Sequence, residues 1–149
     1  NSSSSSSSTT VTPPTLDGDA KATINGSSYK VGDKIRVSYY LQSPVKFCGI
    51  QCSVNYNSEV LKADTSAVVM DNLAGAMCNP ALDNEIRFLS SAATAVNDFS
   101  KEKLLFSCEF EVLAATTSDV TINVSDILDN DIQGIPSDKY TITAKIEKV

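Results

Sequence analysis

Between Cys48 and Ala63 the chain reads CGIQCSVNYNSEVLKA, and its first half alternates strictly. Ile50, Cys52, Val54 and Tyr56 are separated by Gln51, Ser53 and Asn55. Period two is the spacing at which successive side chains leave opposite faces of a strand, so this segment reads as a strand with one buried and one open face. The polar turn Asn57-Ser58-Glu59 follows, and Val60-Leu61 then re-enters the core. The same grammar runs through the chain from Ala20 onward. Short strands are expected near 20–25, 34–42, 48–56, 61–70, 74–79, 84–91, 103–113, 119–125 and 139–149. Asn25-Gly26, Val31-Gly32-Asp33, Ser43-Pro44 and Gly134-Ile135-Pro136 supply the turn chemistry between them. No long stretch holds a helical period. The class is therefore all-β, and strands at this spacing suggest a sandwich.

Length and composition set the frame for function. At 149 residues, 42% of them hydrophobic and 20% charged, the chain is one domain's worth of globular sequence. Asn1 to Thr15 is the exception: a Ser2–Ser8 run followed by Thr, Val and a Pro-Pro pair. Such a segment buries too little apolar surface to offset its ordering entropy, so residues 1–15 read as a flexible linker between modules and 16–149 as the sandwich domain. The opening residues carry no leader pattern, as in an internal module. No segment approaches the ~18 apolar residues of a membrane span. A net charge of −6 without a Lys/Arg cluster argues against nucleic acid as partner. The chain has no His, which removes Ser-His-Asp and Cys-His nucleophiles and any His-ligated metal. It also has no Trp and only 7% aromatic residues, little material for the row of rings that stacks on sugars.

Several pieces of the chain, in order, resemble one family. The strand ending in Tyr56, its turn and Val60-Leu61 resemble the third strand of cohesin modules, with Asn57-Ser58 in place of the usual Asp-Pro. Tyr29-Lys30-Val31-Gly32-Asp33-Lys34 before Ile35-Arg36-Val37 is similar to the hairpin between their first two strands. Glu85-Ile86-Arg87-Phe88-Leu89-Ser90 is similar to their sixth strand, Phe106 to Val112 to their seventh, and Asp129-Asn130-Asp131-Ile132 to the Asp-Asn-Asp-Leu after their eighth. The agreement covers roughly Ala20 to Val149. It implies a nine-stranded jelly-roll β-sandwich that binds dockerin modules and is not an enzyme. It further implies an extracellular or cell-surface scaffold, a monomer when unbound and no cofactor of its own, the calcium being carried by the dockerin.

The resemblance also implies where the partner docks: the outer face of the sheet made by strands eight, three, six and five. Ile86 and Phe88 share the inward phase, which turns Arg87 and Leu89 outward, and Leu89 aligns with an apolar contact position. Strand three adds Gln51, Ser53 and Asn55 to that face, strand eight adds Thr121 and Asn123, and Ile132 matches a second apolar position beside the loop. The family often carries Asn-x-Asp on strand three, where this chain has Gly49 and Gln51. A carbohydrate-binding module of similar fold is the alternative reading.

Other motifs carry less. Asp129-Asn130-Asp131-Ile132-Gln133-Gly134 opens like an EF-hand loop, but its twelfth position is Tyr140, its flanks are not helical and Pro136 interrupts it, so an Asx-rich turn is the better reading. Cys48 and Cys52 lie about 13 Å apart along a strand, too far to share an ion. Cys52 and Cys108 fall in the apolar phase, where Cys behaves as a small hydrophobe. Four free thiols are favoured, with one disulfide as the alternative and metal disfavoured. The sequons at Asn25 and Asn123 read as chance matches, and no carboxylate-lined, ring-lined cleft for glycoside hydrolysis is hinted at.

A chain without His or Trp and poor in aromatic residues makes a first test possible. The domain should neither hydrolyse nor be retained on cellulose, starch or xylan in pull-down assays; firm retention on any of them would favour the carbohydrate-binding alternative.

Overall fold

The computed structural model describes residues 20–82 and 84–149; the linker expected at 1–15 lies outside them. The strands are β1 (Ala20–Ile24), β2 (Lys34–Gln42), β3 (Phe47–Asn55), β4 (Leu61–Val69), β5 (Ala76–Leu82), β6 (Glu85–Ser91), β7 (Lys103–Val112), β8 (Ser118–Asp129) and β9 (Thr141–Lys148). Every pairing between them is antiparallel. One sheet runs β1-β8-β3-β6-β5 and the other β4-β7-β2-β9. Together they make a sandwich, as the strand spacing suggests, and it is the nine-stranded jelly roll that the resemblance implies.

Strands contribute alternate side chains to the space between the sheets, where aromatic rings pack among Ile, Val and Leu. Phe88 from β6 stacks on Phe106 from β7, centroids 4.5 Å apart and rings 9° from parallel. This contact crosses from one sheet to the other and adds about 0.5–1.5 kcal/mol beyond the area it buries. Tyr39 on β2 crosses the same gap, its hydroxyl donating to the Val120 carbonyl of β8 at 2.7 Å. Tyr56 meets the edge of Phe110 at 5.1 Å, and Phe47 stacks on Phe99 at 5.2 Å.

Three strands differ from the sequence-based bounds by two residues or more. β8 runs on to Asp129, past the 125 at which alternation breaks. It does so through a bulge: Cys52 pairs with Val124 but Gln51 with Asp126, leaving Ser125 as an extra residue. β5 starts at Ala76 because the preceding turn ends on Gly75 at φ +59°, a conformation strands do not use. β9 starts at Thr141 because a 3₁₀ turn over Ser137–Lys139 precedes it. None of the four cysteines forms a disulfide. Cys52 and Cys108 are buried in the core, and Cys48 donates its thiol to the Asp129 carbonyl at 3.3 Å. β6 separates the strands of Cys48 and Cys78.

Burial favours the protonated forms of two core groups, Cys108 and Tyr39. Burial pushes the Cys108 thiol from its ordinary 9.0 up to about 12 and raises the Tyr39 phenol as well. Above pH 9 the unfolded chain releases a proton from Cys108 that the folded chain keeps, so stability falls as pH rises toward 12. Urea unfolding should lose up to about 1.4 kcal/mol per pH unit per group in that range. Cys108→Ala should be less stable at neutral pH yet show a flatter alkaline slope; an unchanged slope would remove Cys108 from the explanation.

Candidate functional site

The inward grip on alternate residues fixes what the other face shows. On β6, Ile86 and Phe88 are buried, so Arg87 and Leu89 stand outward. On β3, Ile50, Cys52 and Val54 are buried, which leaves Gln51, Ser53 and Asn55 outward. On β8 the buried pair Val120 and Ile122 sets Thr121 and Asn123 outward. Register then brings these side chains together. Gln51 lies opposite Leu89 and Ser53 opposite Arg87 across β3–β6. Ser53 lies opposite Asn123 and Asn55 opposite Thr121 across β3–β8. Seven of the eight candidate residues thus occupy one open face of one sheet. The eighth, Ile132, sits in the turn after β8 and lines a shallow hollow of about 260 Å³ together with Gln51 and Leu89.

Three further residues belong to this face. Met77 on β5 pairs with Leu89 and is 66% exposed, so the apolar anchor is a two-residue patch. Asp126 and Leu128 join from the far side of the β8 bulge and also line the hollow. Past Ser125 the buried position is Ile127, so the outward phase moves from odd to even numbers. Strict alternation points to Ser125 and then to Ile127, which is why the sequence pattern alone misses both. Met77 carries no such signal, since Ala76, Met77 and Cys78 are all apolar and only the pairing of β5 with β6 turns Met77 outward.

Charge on the face is low. Arg87 donates to Glu85 at 3.1 Å, an exposed contact worth little to stability but enough to hold both side chains locally. Amide and hydroxyl groups make up most of the remainder. No aromatic ring stands fully exposed among the described residues. All five Phe are buried, Tyr39 and Tyr140 are buried, and Tyr29, Tyr40 and Tyr56 are half-buried.

The turn at Asp129 is tied up by its own backbone. The Asp129 carboxylate accepts from the amides of Asp131 at 2.9 Å and Gln133 at 3.0 Å. The Asp129 amide donates to the Gln133 carbonyl at 3.0 Å, and the Ile132 amide to the Asp129 carbonyl at 2.9 Å. These bonds hold Ile132 at φ +60°, with its side chain 60% exposed beside the sheet. The acidic turn therefore serves to present an apolar side chain. Among the described residues no group of three or more acidic or thiol side chains is arranged to hold a metal.

No family model and no curated protein matches this chain. Solved structures do. The solution structure of CaCohA2 from Clostridium acetobutylicum superposes with a TM-score of 0.60 at 16% identity, over 72% of this chain and 77% of that one. The OlpA cohesin of a type I cohesin–dockerin complex from Clostridium thermocellum gives 0.57 at 16%, over 72% and 84%. The seventh ScaB type I cohesin from Pseudobacteroides cellulosolvens gives 0.53 at 14%, over 66% and 69%. At these identities the agreement is one of fold, and the fold is the cohesin jelly roll.

Removing the Asp129 carboxylate should loosen the turn that carries Ile132. Asp129→Ala should cost about 1 kcal/mol, read as a Tm lower by about 3–5 °C. Millimolar calcium should leave the parent Tm where it is. A calcium-induced rise of more than about 5 °C would instead make the turn a cation site.

Proposed function

We infer that this domain is a cohesin module, a non-catalytic receptor that docks a dockerin-bearing protein on the outer face of β8, β3, β6 and β5. One observation carries the reading. The fold sets an apolar anchor, Leu89 with Met77 beside it, on an open sheet face among Gln51, Ser53, Asn55, Arg87, Thr121 and Asn123. An apolar centre ringed by groups that hydrogen-bond while excluding water is how protein–protein hot spots are built. The chain shares its fold with cohesins solved in complex with dockerins, which supports this choice of partner. Recognition is rigid: the strands hold their side chains before the partner arrives, so little ordering cost falls on this side. The calcium belongs to the dockerin. The setting is an extracellular assembly of polysaccharide-degrading enzymes, in which this domain is one module of a scaffold and a monomer when unbound. The carbohydrate-binding alternative has no exposed ring to work with.

Leu89→Asp should weaken dockerin binding by at least ~2 kcal/mol, because it places an unpaired carboxylate in a patch that loses its water on association. The fold should survive, since the position faces solvent. Gln51→Ala and Asn123→Ala should cost about 0.5–1.5 kcal/mol each. Thr143→Asp is the control: it lies on the outer side of β9 in the opposite sheet, paired with Tyr40. Calorimetric titration against a dockerin panel, with circular dichroism as the folding check, reads all four. Loss of binding in Thr143→Asp but not in Leu89→Asp would assign the interface to the other sheet.

A further inference from the structure

The docking face has a gap in it at Gly49. Gly49 is the outward position on β3 next to Gln51, paired with Ser91 on one side and Leu128 on the other. With no side chain there, Leu89, Leu128 and Ile132 stand around the same hollow of about 260 Å³, with Gly49 among its lining. One charged group lines it, Asp126. This carboxylate is exposed and makes no ion pair among the described residues, whereas Glu85 pairs with Arg87, and Asp119 at the far end of β8 pairs with Lys21.

A hollow with aliphatic walls and one unpaired carboxylate selects its occupant. A purely apolar side chain would fill the space but strip water from Asp126 without replacing it, which is costly. An acidic one would be repelled, and a short hydroxyl would leave the walls uncovered. A long aliphatic stem ending in a cation satisfies both requirements, since Lys and Arg lay their methylenes on apolar surface and keep the charge at the rim. Building on the dockerin-receptor reading, we propose that this hollow is the specificity pocket of the face. It receives one Lys or Arg side chain of the dockerin, with the stem against Leu89, Leu128 and Ile132 and the head group on Asp126.

The test is calorimetric titration of the parent, Asp126→Asn and Gly49→Val against a panel of dockerin modules at about 0.02 M and about 0.5 M salt. Folding is checked by circular dichroism. Asp126→Asn keeps the shape and removes the charge. Gly49→Val fills the hollow; a Cβ at that position comes within 3.3 Å of the Ser90 carbonyl oxygen, a tight contact that a shift of a few tenths of an ångström relieves, so Gly49→Ala is run beside it and both are read only where the folding check matches the parent. Asp126→Asn should bind the parent's best dockerin about tenfold more weakly at low salt, with the gap shrinking to about twofold at high salt. Gly49→Val should lose about tenfold or more at both. Parent-like affinity of both variants would overturn the proposal and leave the receptor reading intact. Loss in Gly49→Val alone would make the occupant apolar and overturn the cationic assignment. If no dockerin binds the parent, the receptor reading falls and the pocket falls with it.

Discussion

The stack of Phe88 on Phe106 is the contact on which both fold and face depend. It joins β6 of one sheet to β7 of the other across the middle of the core. Because Phe88 is clamped inward, Leu89 has no choice but to face solvent: adjacent residues of a strand leave opposite faces. A slip of one residue in β6 would bury Arg87 and Leu89 and expose Phe88. The aromatic core is thus the register lock for the outer surface. Tyr39 adds a second lock, since its hydroxyl bond to Val120 ties β2 to β8 and fixes the phase that presents Thr121 and Asn123.

The same physics accounts for the character of the face. A two-sided antiparallel sheet spends its large apolar residues on the inside, so an exposed pair such as Met77 and Leu89 stands out against a field of amides and hydroxyls. The strands hold that pair rigidly, and the self-bonded turn at Asp129 holds Ile132 beside it. This face combines exposed apolar side chains with amides and hydroxyls. What it offers is shape, an anchor and a ring of hydrogen-bonding groups, which is what a receptor for another folded module requires.

Where the backbone kept strict alternation, the sequence was enough. The inward and outward assignments on β3, β6 and the first half of β8 agree with the structure residue by residue; the grouping of β8, β3, β6 and β5 in one sheet with β9 in the other, which the family resemblance implies, agrees as well, and β1 joins the first sheet at its edge. Where the backbone departs from alternation, the sequence misled by misplacing strand ends. Ser125 is an extra residue in β8, and past it the outward phase changes parity, which hid Asp126 and Leu128. Gly75 at φ +59° delays the start of β5 and with it the placing of Met77 opposite Leu89. A bulge and a left-handed glycine are cheap in a single chain and leave little trace in composition. They are decided by what the neighbouring strand needs. The hollow over Gly49 was equally invisible, because it forms only when β6, β3 and the turn after β8 are brought side by side.

The most direct measurement of the central claim is an NMR titration of the isotope-labelled domain with an unlabelled dockerin, following each backbone amide. The perturbed amides should gather on β8, β3, β6 and β5 around Leu89, with β4, β7, β2 and β9 quiet. Perturbations concentrated on the outer side of β4, β7, β2 and β9 would contradict a docking face centred on Leu89.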